Sequence, residues 1–329
     1  MNRLHHVPTG LQPDNLHLHD VPVAATDMRS EVLQGLRLPQ KQLSPKFFYD
    51  AAGSELFEQI TTLPEYYPTR TEQQIMQQFG SEIFSAINSG SVLIEPGSGG
   101  CHKIQPLLEA NGPTAYVPIE ISRDALYDAA TVLARAFPAT EFHAICADFT
   151  QPMQLPQSVP DAHRMVFFPG STIGNFEPTD AVELLRRLRD MMQGEGQLLV
   201  GVDTHKDTNL LDAAYNDSAG VTAAFNRNML HHLNQSLGCD FQPDHFDHLA
   251  FYNEDLNRIE MHLRSRGRQQ VRIGEEWVQF EDGETLHTEN SYKYRPQDFQ
   301  RLAADAGFSP LECWQDEQSL FSVHLMACN

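Results

Sequence analysis

Three short stretches carry residues whose types and spacing suit an adenosine-bearing ligand. The run Glu95-Pro-Gly-Ser-Gly-Gly-Cys-His-Lys103 follows an apolar stretch at 91–94. Gly97, Gly99 and Gly100 let the backbone turn sharply and approach a ligand closely. The dinucleotide pattern G-x-G-x-x-G is broken, because His102 stands where the last glycine would be. A pyrophosphate seated on the following helix is therefore disfavoured. An acidic residue ahead of the loop, Glu95, suits a ligand with an ammonium group instead. Glu120 ends a second apolar stretch, and a carboxylate there can accept from both ribose hydroxyls. Asp148 and Phe149 follow a third stretch. The aspartate can accept from an adenine amino group, and the phenylalanine can stack on the ring. Taken singly, each position has a plain reading as a turn glycine, a helix-capping glutamate or a turn aspartate. In order at three successive strand ends, they point to S-adenosylmethionine, which joins an amino-acid head to an adenosine. Lys103 stays open between a contact to the cofactor carboxylate and an ordinary solvated lysine at a helix start.

A fourth apolar stretch, 165–168, runs into Pro169-Gly-Ser-Thr-Ile-Gly-Asn175. The loop at this place faces the methyl donor in such an architecture. Asn175 offers both donor and acceptors, and so suits an amino-acid head group; a turn asparagine is the plain alternative.

The elements that must carry these residues follow from hydrophobic periodicity. Apolar runs at 91–94, 116–121, 141–146, 165–168 and 197–203 read as strands. Between them, 124–137 and 180–192 repeat apolar residues at helical spacing, the second closed by Gly194. Strands alternating with helices imply a parallel sheet covered on both faces, a doubly wound α/β core. A helix is expected from Thr71, capped by Thr71 with Gln74. Beyond 205 the rhythm breaks. Residues 219–237 read as a helix. Residues 258–264 alternate as a half-buried antiparallel strand, with 277–280 and 288–294 as its expected partners. A helix at 296–306 and strands at 310–314 and 320–327 then close the sheet. The expected division is 1–70 and 206–290 as a smaller substrate-binding domain, with 71–205 and 291–329 as the methyltransferase core.

Composition narrows the partners. The chain has 329 residues, 41% hydrophobic, with 23 Lys+Arg against 44 Asp+Glu and a net charge of −21. Such a field repels nucleic-acid phosphates and anionic membranes and favours a small-molecule substrate. Five cysteines without a C-x-x-C pair suit reduced thiols in a cytoplasmic protein. No apolar run approaches a membrane span, and the polar start has no secretory core. His5, His6, His17 and His19 cluster in that start, which reads as a solvated lead with metal binding as the lesser alternative.

Several long blocks resemble one family. They are Pro45-Lys-Phe-Phe-Tyr-Asp-Ala-Ala-Gly-Ser-Glu-Leu-Phe57, Leu63-Pro-Glu-Tyr-Tyr-Pro-Thr-Arg-Thr-Glu72, Gly170-Ser-Thr-Ile-Gly-Asn175, Ala219-Gly-Val-Thr-Ala-Ala-Phe-Asn-Arg-Asn228 and Arg258-Ile-Glu-Met261. Together they are similar to the L-histidine N-alpha-methyltransferases, which form hercynine in ergothioneine biosynthesis. The resemblance runs from about residue 30 to the end. It implies a class I methyltransferase fold, with Gly97, Lys103, Glu120, Asp148 and Phe149 holding S-adenosylmethionine. That family commonly has aspartate where Glu120 stands, and the longer side chain should still reach the ribose. Tyr66, Asn175 and Tyr215 would grip the α-amino and carboxylate groups of histidine. Tyr49 and Phe57 would close over the reacting nitrogen, Met261 would line the ring pocket, and Glu289 with Ser291 would read the imidazole. Two residues apart in an expected strand, Glu289 and Ser291 point to one face. A carboxylate beside a hydroxyl can bond both ring nitrogens.

The implied reaction is an in-line methyl displacement, repeated three times on one nitrogen. Its main demand is positioning. No dedicated base stands out; Tyr49 or water would relay the proton. No metal is expected, and a monomer is. The competing readings are a related amine or tryptophan-derived N-methyltransferase, a nicotinamide-dependent oxidoreductase and a silent binding protein. An indole pocket would not want a carboxylate at 289, and His102 counts against the oxidoreductase.

Overall fold

The computed structural model describes residues 12–20 and 28–329. His5 and His6 fall outside the described residues. The first part of the chain holds strand β1 (Leu16–Asp20), helix α1 (Met28–Leu36), the short strand β2 (Lys41–Gln42), and helices α2 (Ala51–Thr61), α3 (Tyr67–Gln78) and α4 (Gly80–Ser85). The alternating part follows as β3 (Val92–Pro96), α5 (Gln105–Asn111), β4 (Ala115–Glu120), α6 (Arg123–Ala136), β5 (Glu141–Cys146), β6 (Arg164–Phe168), α7 (Pro178–Met191) and β7 (Gly196–Asp203). Next come α8 (Thr208–Tyr215), α9 (Val221–Leu237), β8 (Phe246–Asn253), β9 (Arg258–Ser265), β10 (Gln269–Ile273), β11 (Glu276–Phe280) and β12 (Thr285–Tyr292). The chain ends with α10 (Pro296–Asp305), β13 (Phe308–Gln315) and β14 (Phe321–Cys328).

Eight strands form the main sheet in the order β1-β5-β4-β3-β6-β7-β14-β13. The six strands from β1 to β7 are parallel, and β14 returns antiparallel beside β7. This is the doubly wound α/β sheet expected from the alternating runs. β3, the inner part of β4 and the end of β7 are wholly buried, as helices on both faces require. The chain order reverses direction across the sheet at β3, and the carboxyl ends of β3 and β6 flank the resulting crevice.

A second sheet, β2-β12-β9-β8, stands apart and packs with α1, α2, α8 and α9 around its own core, which includes Phe48, Phe225, Met229, Ile259 and Met261. The first part of the chain and the stretch after β7 therefore build one core together.

Several expectations need correction. The segment ending at Asp20 is no solvated lead over 16–20: β1 pairs in register with β5 at the sheet edge. Helix α3 starts four residues early, with Pro68 at its first turn and no side-chain cap. Proline is preorganised for that position, and the Thr71 hydroxyl bonds back to Tyr67 O at 2.9 Å instead of capping. Of the two expected partners of β9 only β12 pairs with it; β11 pairs with β10, and the other neighbour of β9 is β8. The polar side of β9 is covered as well: Arg258, Glu260 and His262 are buried in one network, with Arg258 Nε donating to Glu260 at 2.8 Å. Alternation signals a half-buried strand only when the polar side meets water, and here Glu177 and Tyr292 close over it. Among the described residues no helix is long and apolar enough to cross a membrane.

Candidate functional site

The glycine loop leaves β3 with Gly97 and Gly99 in the left-handed region, at φ +69° and +51°. Gly97 and Ser98 donate their amides to Ile119 O, at 2.8 and 3.3 Å, so the turn is tied to the end of β4. A Cβ on Gly97 would stand 3.2 Å from the Phe149 ring. Glycine is thus required twice over, by conformation and by the close approach of Phe149. Glu120 projects beside the loop: Oε2 accepts from Gly99 N at 3.1 Å, and Oε1 from Ile121 N at 2.7 Å. Asp148 and Phe149 come next along the same edge, with Phe149 set edge-on to Phe168 at 5.9 Å. The Gly97 turn, the Glu120 carboxylate and the Asp148–Phe149 pair therefore sit together at neighbouring strand ends. Glu95 is buried beneath them. Burial pushes its carboxyl up to about 8, against the opposing bond from Tyr116.

Lys103 is half-buried and stands just before the start of α5, whose N-cap is Ile104. Its Nζ lies 2.8 Å from Oε2 of buried Glu72, whose Oε1 accepts from Gly170 N at 2.7 Å. Glu72 thus couples the glycine loop to the loop after β6. Sequence reading placed Glu72 only inside a family block and gave it no role.

We expect Gly97→Ala to weaken S-adenosylmethionine binding about 30-fold, since strain and a displaced Phe149 each cost about 1 kcal/mol. Calorimetric titration of the cofactor measures this, and an unchanged affinity would remove Gly97 from the cradle.

The second half of the site is aromatic. Tyr49 packs against Phe57 and Phe225, Phe57 against Tyr66, and Tyr66 against Tyr215, with ring centroids 5.9 to 6.4 Å apart. The local sequence explains the hold on this group. Asp50 caps α2 by accepting from Gly53 N at 2.7 Å, and Asn228 of α9 donates to the same carboxylate at 2.7 Å. A Cβ at Gly53 would stand 1.7 Å from Phe48 O, so only glycine lets the Phe48–Tyr49 turn close on α2.

Strand pairing delivers the polar end. Glu289 lies opposite Met261 and Ser291 opposite Ile259 across the β12–β9 ladder. Directly paired residues share a face, so Met261, Glu289 and Ser291 line one wall. The loop carrying Asn175 docks on the same strand, where Gly174 meets the Tyr292 backbone so closely that a Cβ would stand 2.8 Å from its carbonyl. Ser171, at φ +58°, pins this loop by accepting from Asp203 N at 2.9 Å.

Electrostatics ties the two halves together. Burial raises the hydroxyls of Tyr49, Tyr66 and Tyr215 well above the usual range, and the Glu289 charge adds to each. Glu120 acts on Tyr49 too, so the end of β4 and the aromatic group adjoin. Burial lifts the Glu289 carboxyl to about 7, with Lys293 pulling the other way. Tyr49, Phe57, Tyr66, Asn175 and Glu289 are only half-buried by surface. Among the described residues, the side chains of Tyr49, Tyr66, Asn175 and Glu289 make no hydrogen bond. Polar groups so placed are free to bond a polar ligand or water.

Beneath the pocket lies a buried network that sequence reading missed. Asp203 accepts from Tyr67 OH at 2.7 Å and pairs with Lys293 at 2.7 Å and with Lys206. Burial would raise Asp203, but the two ammonium groups outweigh it and hold the carboxyl below its usual value. Lys293 also donates to Ser291 Oγ at 2.7 Å, and Tyr215 OH stands 2.8 Å from the same oxygen. With both groups donating to it, Ser291 keeps its own proton free for a ligand acceptor. A single apolar-looking strand end at Asp203 gave no sign of this, because the partners lie far off in sequence.

The chain is 42% identical over 308 residues to the histidine N-alpha-methyltransferase of Mycolicibacterium smegmatis, covering 92% of this chain and 95% of that protein. It is 41% identical over 307 residues to the protein of the same name from Mycobacterium tuberculosis, covering 91% and 94%. A 4-dimethylallyltryptophan N-methyltransferase of Claviceps purpurea is 26% identical over 317 residues, covering 87% and 91%. The model of the family described as "histidine-specific methyltransferase, SAM-dependent" matches residues 28–328. Nearly the whole described chain thus carries that pattern, and the protein belongs to the S-adenosylmethionine-dependent, histidine-specific methyltransferases.

Proposed function

We propose that this protein methylates the α-amine of L-histidine three times, giving hercynine, a step of ergothioneine biosynthesis. The carrying observation is the grouping of Tyr49, Tyr66, Tyr215, Glu289 and Ser291, joined by ring packing, the Tyr215–Ser291 bond and the Glu289 charge, with the Asn175 loop docked on β12 and Glu120 acting on Tyr49 from the cofactor side. S-adenosylmethionine supplies an electrophilic methyl group. Gly97, Glu120, Asp148 and Phe149 would hold it, and Lys103 would meet its carboxylate while staying paired with Glu72.

Glu289 accepts an imidazole N–H, and Ser291 donates to the other ring nitrogen. Met261 fills the space beside the ring. Asn175, Tyr66 and Tyr215 hold the α-amino and carboxylate groups, which turns the nitrogen toward the cofactor side. This positioning is the main source of rate. Tyr49 and Phe57 cover the nitrogen. Their ring faces favour the quaternary cation that accumulates. Tyr49 is a poor base, because burial and Glu289 both hold its proton in place. It serves as a hydrogen-bond partner, and the ammonium proton leaves before closure or through water. Transfer stops at the trimethyl stage because a quaternary nitrogen has no lone pair.

The division into a core (71–205, 291–329) and a substrate-binding part (1–70, 206–290) is kept as part of this reading, with β1 assigned to the core side. It is supported by the separate hydrophobic cores. The five free thiols suit a cytoplasmic enzyme, here taken as a monomer.

The test is to incubate purified protein with S-adenosylmethionine and an equimolar mixture of the twenty amino acids and follow product masses. Gain of three methyl groups on histidine alone is expected. Methylation of another amino acid would overturn the Glu289–Ser291 assignment and favour the tryptophan-type alternative. Tyr49→Phe should keep the fold and reduce kcat roughly tenfold, from one lost hydrogen bond. A steady-state comparison showing a change in KM alone would move Tyr49 out of the transition state.

A further inference from the structure

One cluster of titratable side chains lies outside the methyl-transfer site. Strand β1 runs parallel to β5, with His17 opposite His143 and His19 opposite Ile145. One ring nitrogen each of His17 and His143 and one oxygen of Glu141 lie within 4.8 Å of one another. The His17 ring is stacked on His143 at 4.7 Å. His143 is completely buried, and its Nε2 has no hydrogen-bond partner among the described residues. That nitrogen faces Glu141 Oε2 at 3.5 Å. On the other side of the ring, His143 Nδ1 is 3.2 Å from His19 Nε2.

Proton placement decides what this arrangement can do. A neutral imidazole carries its one proton on either ring nitrogen and offers a lone pair at the other. If Nδ1–H is given to His19, Nε2 presents a bare lone pair to a carboxylate. A fully buried ring nitrogen facing a solvent-open carboxylate oxygen at 3.5 Å leaves a place that a cation between them would fill. A ring N–H held by a second group is also the usual orienting contact of a metal-bound histidine.

We propose that His17, Glu141 and His143 form a binding site for a divalent transition metal of the zinc type, with His19 as the outer partner that sets the His143 tautomer. Two imidazoles with one carboxylate suit Zn2+ or Co2+ and are poor for Mg2+ or Ca2+, which prefer oxygen alone. Exposed His17 and Glu141 leave room for water as a fourth ligand. The metal ties edge strand β1 to β5 and needs no part in methyl transfer. A second group of similar composition, Glu260 with His262 and His287, does not qualify. Its carboxylate is already neutralised by Arg258 at 2.8 Å and bonded by His262 at 3.0 Å.

The experiment uses the untagged full chain, freed of metal by chelation. Zn2+ is titrated calorimetrically, and Co2+ serves as an absorption probe of ligand geometry. Expected are one ion per chain, a tetrahedral Co2+ spectrum and a raised Tm. His17→Ala and Glu141→Gln change exposed side chains and should keep the fold, and each should weaken binding at least ~10-fold. The double variant His5→Ala, His6→Ala should bind as the parent does. Absence of stoichiometric binding would overturn the site and assign the ring proton to Nε2, facing Glu141. Binding that survives both ligand variants, or that is lost with His5 and His6, would overturn it equally.

Discussion

Glu289→Gln should lower kcat/KM for histidine about tenfold while stabilising the free protein at pH 8. The first half follows from the bond it breaks. A hydrogen bond to a charged group contributes roughly 2 kcal/mol, and the neutral amide retains only part of it. Because the contact is the same before and during transfer, the loss should fall on KM. Cofactor affinity should not move, since Glu289 stands on β12 and the glycine loop on β3. The second half follows from linkage. The Glu289 carboxyl is raised from 4.5 to about 7, chiefly by burial. A raised carboxyl contributes its stability fully below pH 4.5 and loses it as pH climbs to about 7. Above that, the free protein holds a costly buried charge, and the glutamine removes it. The gain at pH 8 should be on the order of 2 kcal/mol, visible as a Tm increase of a few degrees. The wild-type KM should also rise as pH falls below 7, because a protonated carboxyl cannot receive the imidazole N–H as well. Free histidine titrates nearby, near pH 6.5, so the variant supplies the control profile. Identical KM profiles for the two proteins, with no Tm difference, would remove Glu289 from the pocket.

Asp203→Ala should be the most destabilising single change at the site. It strands Lys293, which is fully buried, and Lys206, which is nearly so. Removing one partner of a buried ion pair costs about 3–5 kcal/mol, which for a chain this size lowers Tm by roughly 5–10 °C. The loss should shrink at alkaline pH. Burial has already lowered Lys206 to about 8, so its uncompensated charge disappears first as pH rises. Activity should fall further than stability alone dictates, because Lys293 orients Ser291 and Tyr67 anchors the start of α3. A Tm within about 2 °C of the parent would mean that water replaces the carboxylate and that the network is not under tension.

The buried network and the aromatic pocket differ in how they register in sequence. Aromatic density at 47–67 marks the pocket locally, and Glu289 with Ser291 is marked by strand parity. Neither pattern reveals that Met261 lies opposite Glu289, because β9 and β12 pair through a bulge after His287. Phe225, which packs on both Tyr49 and Phe57, comes from a helix whose alternation of apolar residues reads as ordinary core.

Local periodicity and turn chemistry were enough to determine the alternating core, the glycine turn, and Glu120, Asp148 and Phe149 at successive strand ends. These depend on contacts within one strand–turn–helix unit, and each unit carries its own pattern. Only the tertiary structure decided which partners neutralise the buried charges. Glu72 with Lys103, Asp203 with Lys293, and Glu260 with Arg258 and His262 are held together by folding, and a charged residue in sequence reads as solvated until a neighbour buries it. The same holds at the sheet edge. A polar, histidine-rich segment has no apolar pattern to announce a strand, and β1 forms because β5 offers it a free row of backbone donors and acceptors.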